Sequence, residues 1–97
     1  MSRYRLSPQA ADDVREIWGH IAEENLEAAG RVRRELRDSM ERLSRHPKMG
    51  HARKDLTDRP VLFWAVRSYL IVYNPLSIPL EVVRVLHGAR DITQLLP

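Results

Sequence analysis

The spacing of apolar positions changes period along the chain, and each period predicts an element. Arg3-Tyr4-Arg5-Leu6 alternates strictly, as a short strand does. Ser7-Pro8 follows: a hydroxyl that can cap a helix, then a proline whose fixed φ suits the first helical position. The period then lengthens. Ala11, Val14, Ile17, Trp18 and Ile21 recur at spacings of three and four, one apolar stripe that predicts a helix over residues 8–24. Asp12 and Asp13 sit early in it, where the helix dipole favours negative charge. Asn25 is placed to cap a second helix over residues 27–44, whose stripe is Ala28 or Ala29, Val32, Leu36, Met40 or Ser39, and Leu43. Asp38 with Arg42 and Glu41 with Arg45 are acid-before-base pairs four residues apart, the favourable order on a solvated face. The short link between the helices predicts an antiparallel hairpin.

Beyond Pro47 and Gly50 a stretch without clear period leads to two β-branched and aromatic runs, residues 61–66 and 69–73. They are separated by Arg67-Ser68, a two-residue hairpin turn without the expected Gly or Asn. Residues 81–87 form a last strand, stopped by Gly88. The order is β-α-α-β-β-β, an α+β domain in which a helical hairpin packs on one face of an antiparallel sheet. The run at 69–73 is apolar at both parities: Leu70 and Val72 on one face, Tyr69, Ile71 and Tyr73 on the other. Only one face lies under the helices, so a partner segment is expected on the other, the alternatives being the C-terminal tail or a second copy. The parity assigned to the partner is Tyr69, Ile71 and Tyr73.

Ninety-seven residues are one domain, 1–97, small enough that a binding partner would add substantially to its stability. The absence of cysteine excludes disulfides, thiolate metal sites and cysteine nucleophiles. No apolar run approaches the ~18 residues that span a bilayer, and no leader pattern precedes Tyr4; a cytoplasmic protein without membrane contact is expected. The formal charge of +3 is spread along the chain rather than gathered into the dense stripe of a dedicated nucleic-acid binder.

The chemistry-bearing residues are dispersed. His46 and His51 share a loop without a matching carboxylate, so no metal site is expected, and His20 reads as a surface or boundary residue of the first helix. His87 ends the last strand, a place where loops often carry function, although the plain reading of it is a structural histidine. Metal-free RNA cleavage needs a base, cations for the phosphate and an acid; Lys48, Lys54, Arg67, Arg84, His87 and Arg90 could supply them, but sequence does not bring them together. There is no Ser–His–Asp pattern, glycine-rich phosphate loop or paired-carboxylate motif, and no cofactor is expected.

Four blocks taken in order carry a resemblance: Leu6-Ser7-Pro8-Gln9-Ala10-Ala11-Asp12-Asp13 with Ile17-Trp18, Leu43-Ser44-Arg45-His46-Pro47-Lys48-Met49-Gly50, Tyr69-Leu70-Ile71-Val72-Tyr73, and Val85-Leu86-His87-Gly88-Ala89-Arg90-Asp91. Over nearly the whole chain it resembles toxins of the RelE/ParE superfamily, which implies the same β-α-α-β-β-β fold. RelE-like members are ribosome-dependent mRNA endonucleases with a basic cluster and commonly a C-terminal tyrosine. ParE-like members poison DNA gyrase by binding and have lost most of that cluster. Here Leu70 stands where RelE-like toxins often carry arginine, no tyrosine follows Arg90, and only Arg90 looks retained, which favours the ParE-like branch. The resemblance implies a ParD-like or similar antitoxin that contacts Tyr69, Ile71 and Tyr73, with Arg67, His87 and Arg90 left for the target. Operator DNA would be bound only through the antitoxin. A RelE-like activity would instead rest on Lys54, Arg67, His87 and Arg90, and a non-toxic relative that only binds its antitoxin shares all these features.

Overall fold

The computed structural model describes residues 3–88. Strand β1 (Tyr4–Leu6) leads into helices α1 (Pro8–Ala22) and α2 (Leu26–Arg45), followed by strands β2 (Leu62–Val66), β3 (Tyr69–Asn74) and β4 (Leu80–His87). Both helix starts use the side chains anticipated: Ser7 Oγ accepts from the Ala10 amide at 3.0 Å, and Asn25 Oδ1 accepts from Ala28 at 2.9 Å. Arg42 and Arg45 occupy the last turn of α2, where cations complement exposed carbonyls.

The sheet order is β1-β4-β3-β2. β2, β3 and β4 form the expected antiparallel meander, but β1 lies parallel to β4, with Leu6 opposite Val82, so the sheet is mixed rather than antiparallel. The reason is the connection. A tight turn forces antiparallel neighbours, whereas the two-helix crossover after β1 leaves its direction free.

The helices cover one sheet face. Val32, Leu36, Met40 and Leu43 of α2 meet Val66, Ile71, Tyr73, Val82 and Val85 in the main core. α1 turns Ala10 and Asp13 inward, one position from the predicted stripe, while Val14, Ile17 and Ile21 pack at the core margin. The other face carries a smaller cluster of Val61, Phe63, Val72 and Leu86, with Leu56 from the loop before β2 against it.

β1 is too short to cover β4. It pairs with Leu80–Val82 only, and α1 closes the remaining edge with side chains. The Ser7 amide donates to Val82 O at 2.9 Å, and its hydroxyl donates to Val83 O at 2.7 Å. Asp13 accepts from the Val85 amide at 2.9 Å and holds Arg84 through two bonds of 2.8 and 2.9 Å. Val72 faces Arg84 but Tyr73 faces Val82, so Val83 is an extra residue on β4, a bulge of the kind that re-aims neighbouring side chains. Asp13, read in sequence as a helix-dipole residue, is thus a fastener between α1 and the sheet.

Both side chains of this pair are largely buried, so removing one leaves the other charge without its partner. Asp13→Ala is expected to cost about 3 kcal/mol in urea denaturation. Asp12→Ala, one position away on the exposed face, serves as the control and should change stability by less than about 0.5 kcal/mol.

Candidate functional site

Arg67 and His87 come together at one end of the sheet. Arg67 opens the two-residue β2–β3 turn, and His87 lies opposite Tyr69 in the β3–β4 register. Their end of the sheet holds a shallow cleft of about 320 Å³, walled also by Ser68, Leu70 and Gly88. Tyr69 and His87 meet edge to face, ring centres 5.7 Å apart, and form the wall shared with a second cleft of about 590 Å³ beneath α1. The far side of that second cleft is Glu16, His20 and Glu23. His20, expected at the surface or boundary of the first helix, is exposed. The spacing Asp13, Glu16, Ile17, His20 already puts these groups on one helix face, a signal that was present in the sequence.

Arg67 sits at φ 55°, in the left-handed region that favours glycine, which explains how a turn without Gly or Asn closes this hairpin. Its guanidinium is held by Glu35 of α2 through two bonds of 2.6 and 2.7 Å. The hydrogen bond from Arg67 holds the Glu35 carboxyl below its ordinary range, and the same bond raises Arg67. The residue expected to present a cation to a target is therefore the tether of the hairpin to the helical layer.

The remaining expected positions do not converge. Lys54 is exposed in the loop before β2 and lines neither cleft. Arg84 is bound to Asp13, and Arg90 lies outside the described residues. His51 bridges to Phe63 and stacks on Trp64 at 6.4 Å, whereas His46 ends α2. Among the described residues no group of three or more His, Asp or Glu is arranged to hold a metal ion, and no helix is long and apolar enough to cross a membrane.

The partner-facing parity of β3 is corrected. Ile71 and Tyr73 are fully buried beneath the helices; only Tyr69 of the three retains partial exposure. Ile71 lies opposite Val85, and Tyr73 opposite Val82, both in the helix-covered core. The Tyr73 hydroxyl donates to Pro47 O at 2.7 Å and accepts from the Gly50 amide at 2.9 Å, which fastens the loop after α2 to the sheet. Burial raises this phenol above its ordinary pKa. A Cβ at Gly50 would lie 2.5 Å from that hydroxyl, so glycine is required for the approach. With both parities apolar, sequence gave no means of choosing the covered face.

A solved structure described as the chromosomal ParDE TA system from P. aeruginosa shares this fold, with a TM-score of 0.72 and 15% identity over 90% of this chain and 96% of that one. The family model for the ParE toxin of the type II toxin–antitoxin system, parDE, matches residues 4–92, and the chain belongs to that family of toxins. Toxin ParE1 of Caulobacter vibrioides is a relative 31% identical over 92 residues, 94% of each chain. The ParE-like branch suggested by Leu70 and by the tail without tyrosine is the one these matches support.

Two outcomes follow from these contacts. Tyr73→Phe leaves the Gly50 amide and Pro47 carbonyl without their partner and is expected to cost about 1–2 kcal/mol, measured by urea denaturation, with faster proteolysis at residues 47–50. For Glu35, a carboxyl whose folded-state pKa is depressed stabilises above its unfolded value and ceases to as pH falls through the folded one. The difference in melting temperature between wild type and Glu35→Gln should therefore be full at neutral pH and close as pH falls through and below the ordinary glutamate range.

Proposed function

We propose that this ParE-family toxin, a single domain acting in the cytoplasm, arrests growth by binding DNA gyrase, and that a ParD-like antitoxin neutralises it by direct contact. Operator DNA is reached only through that antitoxin. The observation that carries the choice of target is the electrostatics around His87. The cleft beside it is faced by Glu16 and Glu23, carboxylates that repel a phosphate backbone, while Arg67 is engaged by Glu35 and Lys54 lies apart. RNA cleavage in place needs the reverse: free cations gathered around an acid and a base. A surface that acts by binding needs no such gathering. Of the positions first assigned to the antitoxin, Tyr69 is the one that keeps exposed surface.

Inducible expression without antitoxin, read simultaneously for growth, message integrity and DNA breaks, tests this reading. Arrest with DNA breaks and intact message is the expected result. Position-specific cuts in ribosome-bound message would replace it with an mRNA endonuclease, and soluble, folded protein without arrest would reduce it to antitoxin binding. In vitro, the purified toxin should inhibit gyrase supercoiling, and equimolar cognate antitoxin should relieve the inhibition.

A further inference from the structure

β2 lies at an edge of the sheet, and half of that edge is open. In an antiparallel pair the backbone groups of successive residues point to alternate sides of the strand. Phe63 points outward: its amide donates to His51 O at 2.8 Å, and its carbonyl accepts from the His51 amide at 2.9 Å. Ala65, two residues on, points outward as well, and its amide and carbonyl find no partner among the described residues. The loop that serves Phe63 cannot serve Ala65. Met49 is the residue that would face Ala65 if the pairing continued, but its amide returns to His46 O at 3.0 Å. The Gly50 amide goes to the Tyr73 hydroxyl at 2.9 Å, so the chain is drawn away from the edge. Edge strands are ordinarily guarded by charge, proline or a bulge. β2 reads Leu62-Phe63-Trp64-Ala65-Val66, with none of the three, and Ala65 is exposed.

We infer that an extended segment of the antitoxin joins the sheet beside Ala65. The inference rests on the reading of the chain as a toxin neutralised by direct contact. The segment's backbone donates to Ala65 O and accepts from the Ala65 amide, the mode by which a strand adds to an open sheet edge. Ala65 also begins the cleft of about 320 Å³ that continues past the turn to Leu70 and His87, so the same segment finds side-chain anchorage there. An uncharged open edge is a template for misassembly whenever the chain is unpaired. A neutralised toxin rests on its antitoxin and meets its target only after release, so the standing need for cover falls to the antitoxin. A second copy is opposed by geometry. Symmetric pairing about Ala65 would set Phe63 of each chain opposite Arg67 of the other. Phe63 is already bonded to His51, while Arg67 leaves the extended region at φ 55° and is held by Glu35. One residue pair would remain. A strand of different sequence escapes that constraint, because beyond Ala65 it passes into the cleft and covers Arg67, Tyr69 and His87 there.

The test combines amide exchange with substitution, using purified toxin and the full-length cognate antitoxin. By NMR, the Ala65 amide should exchange rapidly in the free toxin and at least about tenfold more slowly in the saturated complex. The Phe63 amide, already bonded to His51, should be protected in both. Ala65→Pro removes a donor that the free fold does not use, at an edge where proline is tolerated, and Ala65→Lys places a charge on the edge. Both should melt within a few degrees of wild type and bind antitoxin at least about tenfold more weakly. Should Ala65→Pro fail to fold, Ala65→Lys and the exchange measurement decide. Unchanged exchange at Ala65 in the saturated complex, or wild-type antitoxin affinity in folded Ala65→Pro, would overturn the inference alone. So would protection of Ala65 that rises with toxin concentration by itself, which would give the edge to a second copy. Loss of gyrase inhibition in Ala65→Pro with antitoxin affinity intact would give the edge to the target and overturn it too. Wild-type toxin that does not bind the antitoxin at all overturns the underlying reading together with the inference, and is seen before any variant is made.

Discussion

The uncovered edge of β4 is the constraint around which this small domain is arranged. A strand of eight residues in a sheet whose neighbour β1 offers three leaves backbone groups that must find partners elsewhere. α1 provides them through Ser7 at its cap and Asp13 two turns on, and this fixes both the distance and the rotation of the helix over the sheet. Because Asp13 also holds Arg84, the inward face of α1 is not purely apolar. The helix packs with Ala10 and Asp13 against the strand and Val14, Ile17 and Ile21 beside them. α2, whose buried stripe is almost wholly apolar, then closes the main core from the other side.

A second set of polar contacts links the helical layer to the far strands. Glu35 reaches across to Arg67, and the loop after α2 is held at the Tyr73 hydroxyl. The first is an exposed ion pair, whose energetic worth is small, and the second is part-buried. Their value is geometric, because each joins segments more than twenty residues apart and sets where the hairpin sits. The ends of the sheet also differ in character. One carries Tyr69 and His87 beside acidic groups, and the other carries the exposed side chains of Leu76 and Ile78.

Periodicity sufficed for both helices, their caps and the meander, since each is specified by neighbours in sequence. What it missed depends on distant pairings. The direction of β1 follows from where β4 returns, and nothing in Tyr4-Arg5-Leu6 encodes it. Asp13 reads as a dipole residue until Arg84 and Val85 are seen above it. Ile71 and Tyr73 were placed on the wrong face because Leu70 and Val72 made an equally apolar alternative. Of the site residues, Arg67 and His87 meet at one end of the sheet only through the β3–β4 register, which their places in the sequence do not give. The roles of Glu35 and His20 in that region required the helices to be set in place.

Val72 carries a further consequence. Ile71, Val72 and Tyr73 are all fully buried, one after another, so β3 has no solvent side over these residues. In an ordinary half-buried strand, a one-residue slip would expose the apolar set and is opposed by hydration. Here a slip would exchange one apolar row for another, and the hydrophobic effect alone discriminates poorly between the two alignments. Correct alignment is therefore specified by hydrogen-bonding groups at the margins: Glu35 gripping the turn at Arg67, the Tyr73 hydroxyl between Pro47 and Gly50, and the extra residue Val83 on the neighbouring strand. Polar contacts that add little to the depth of the native minimum decide which minimum the chain occupies.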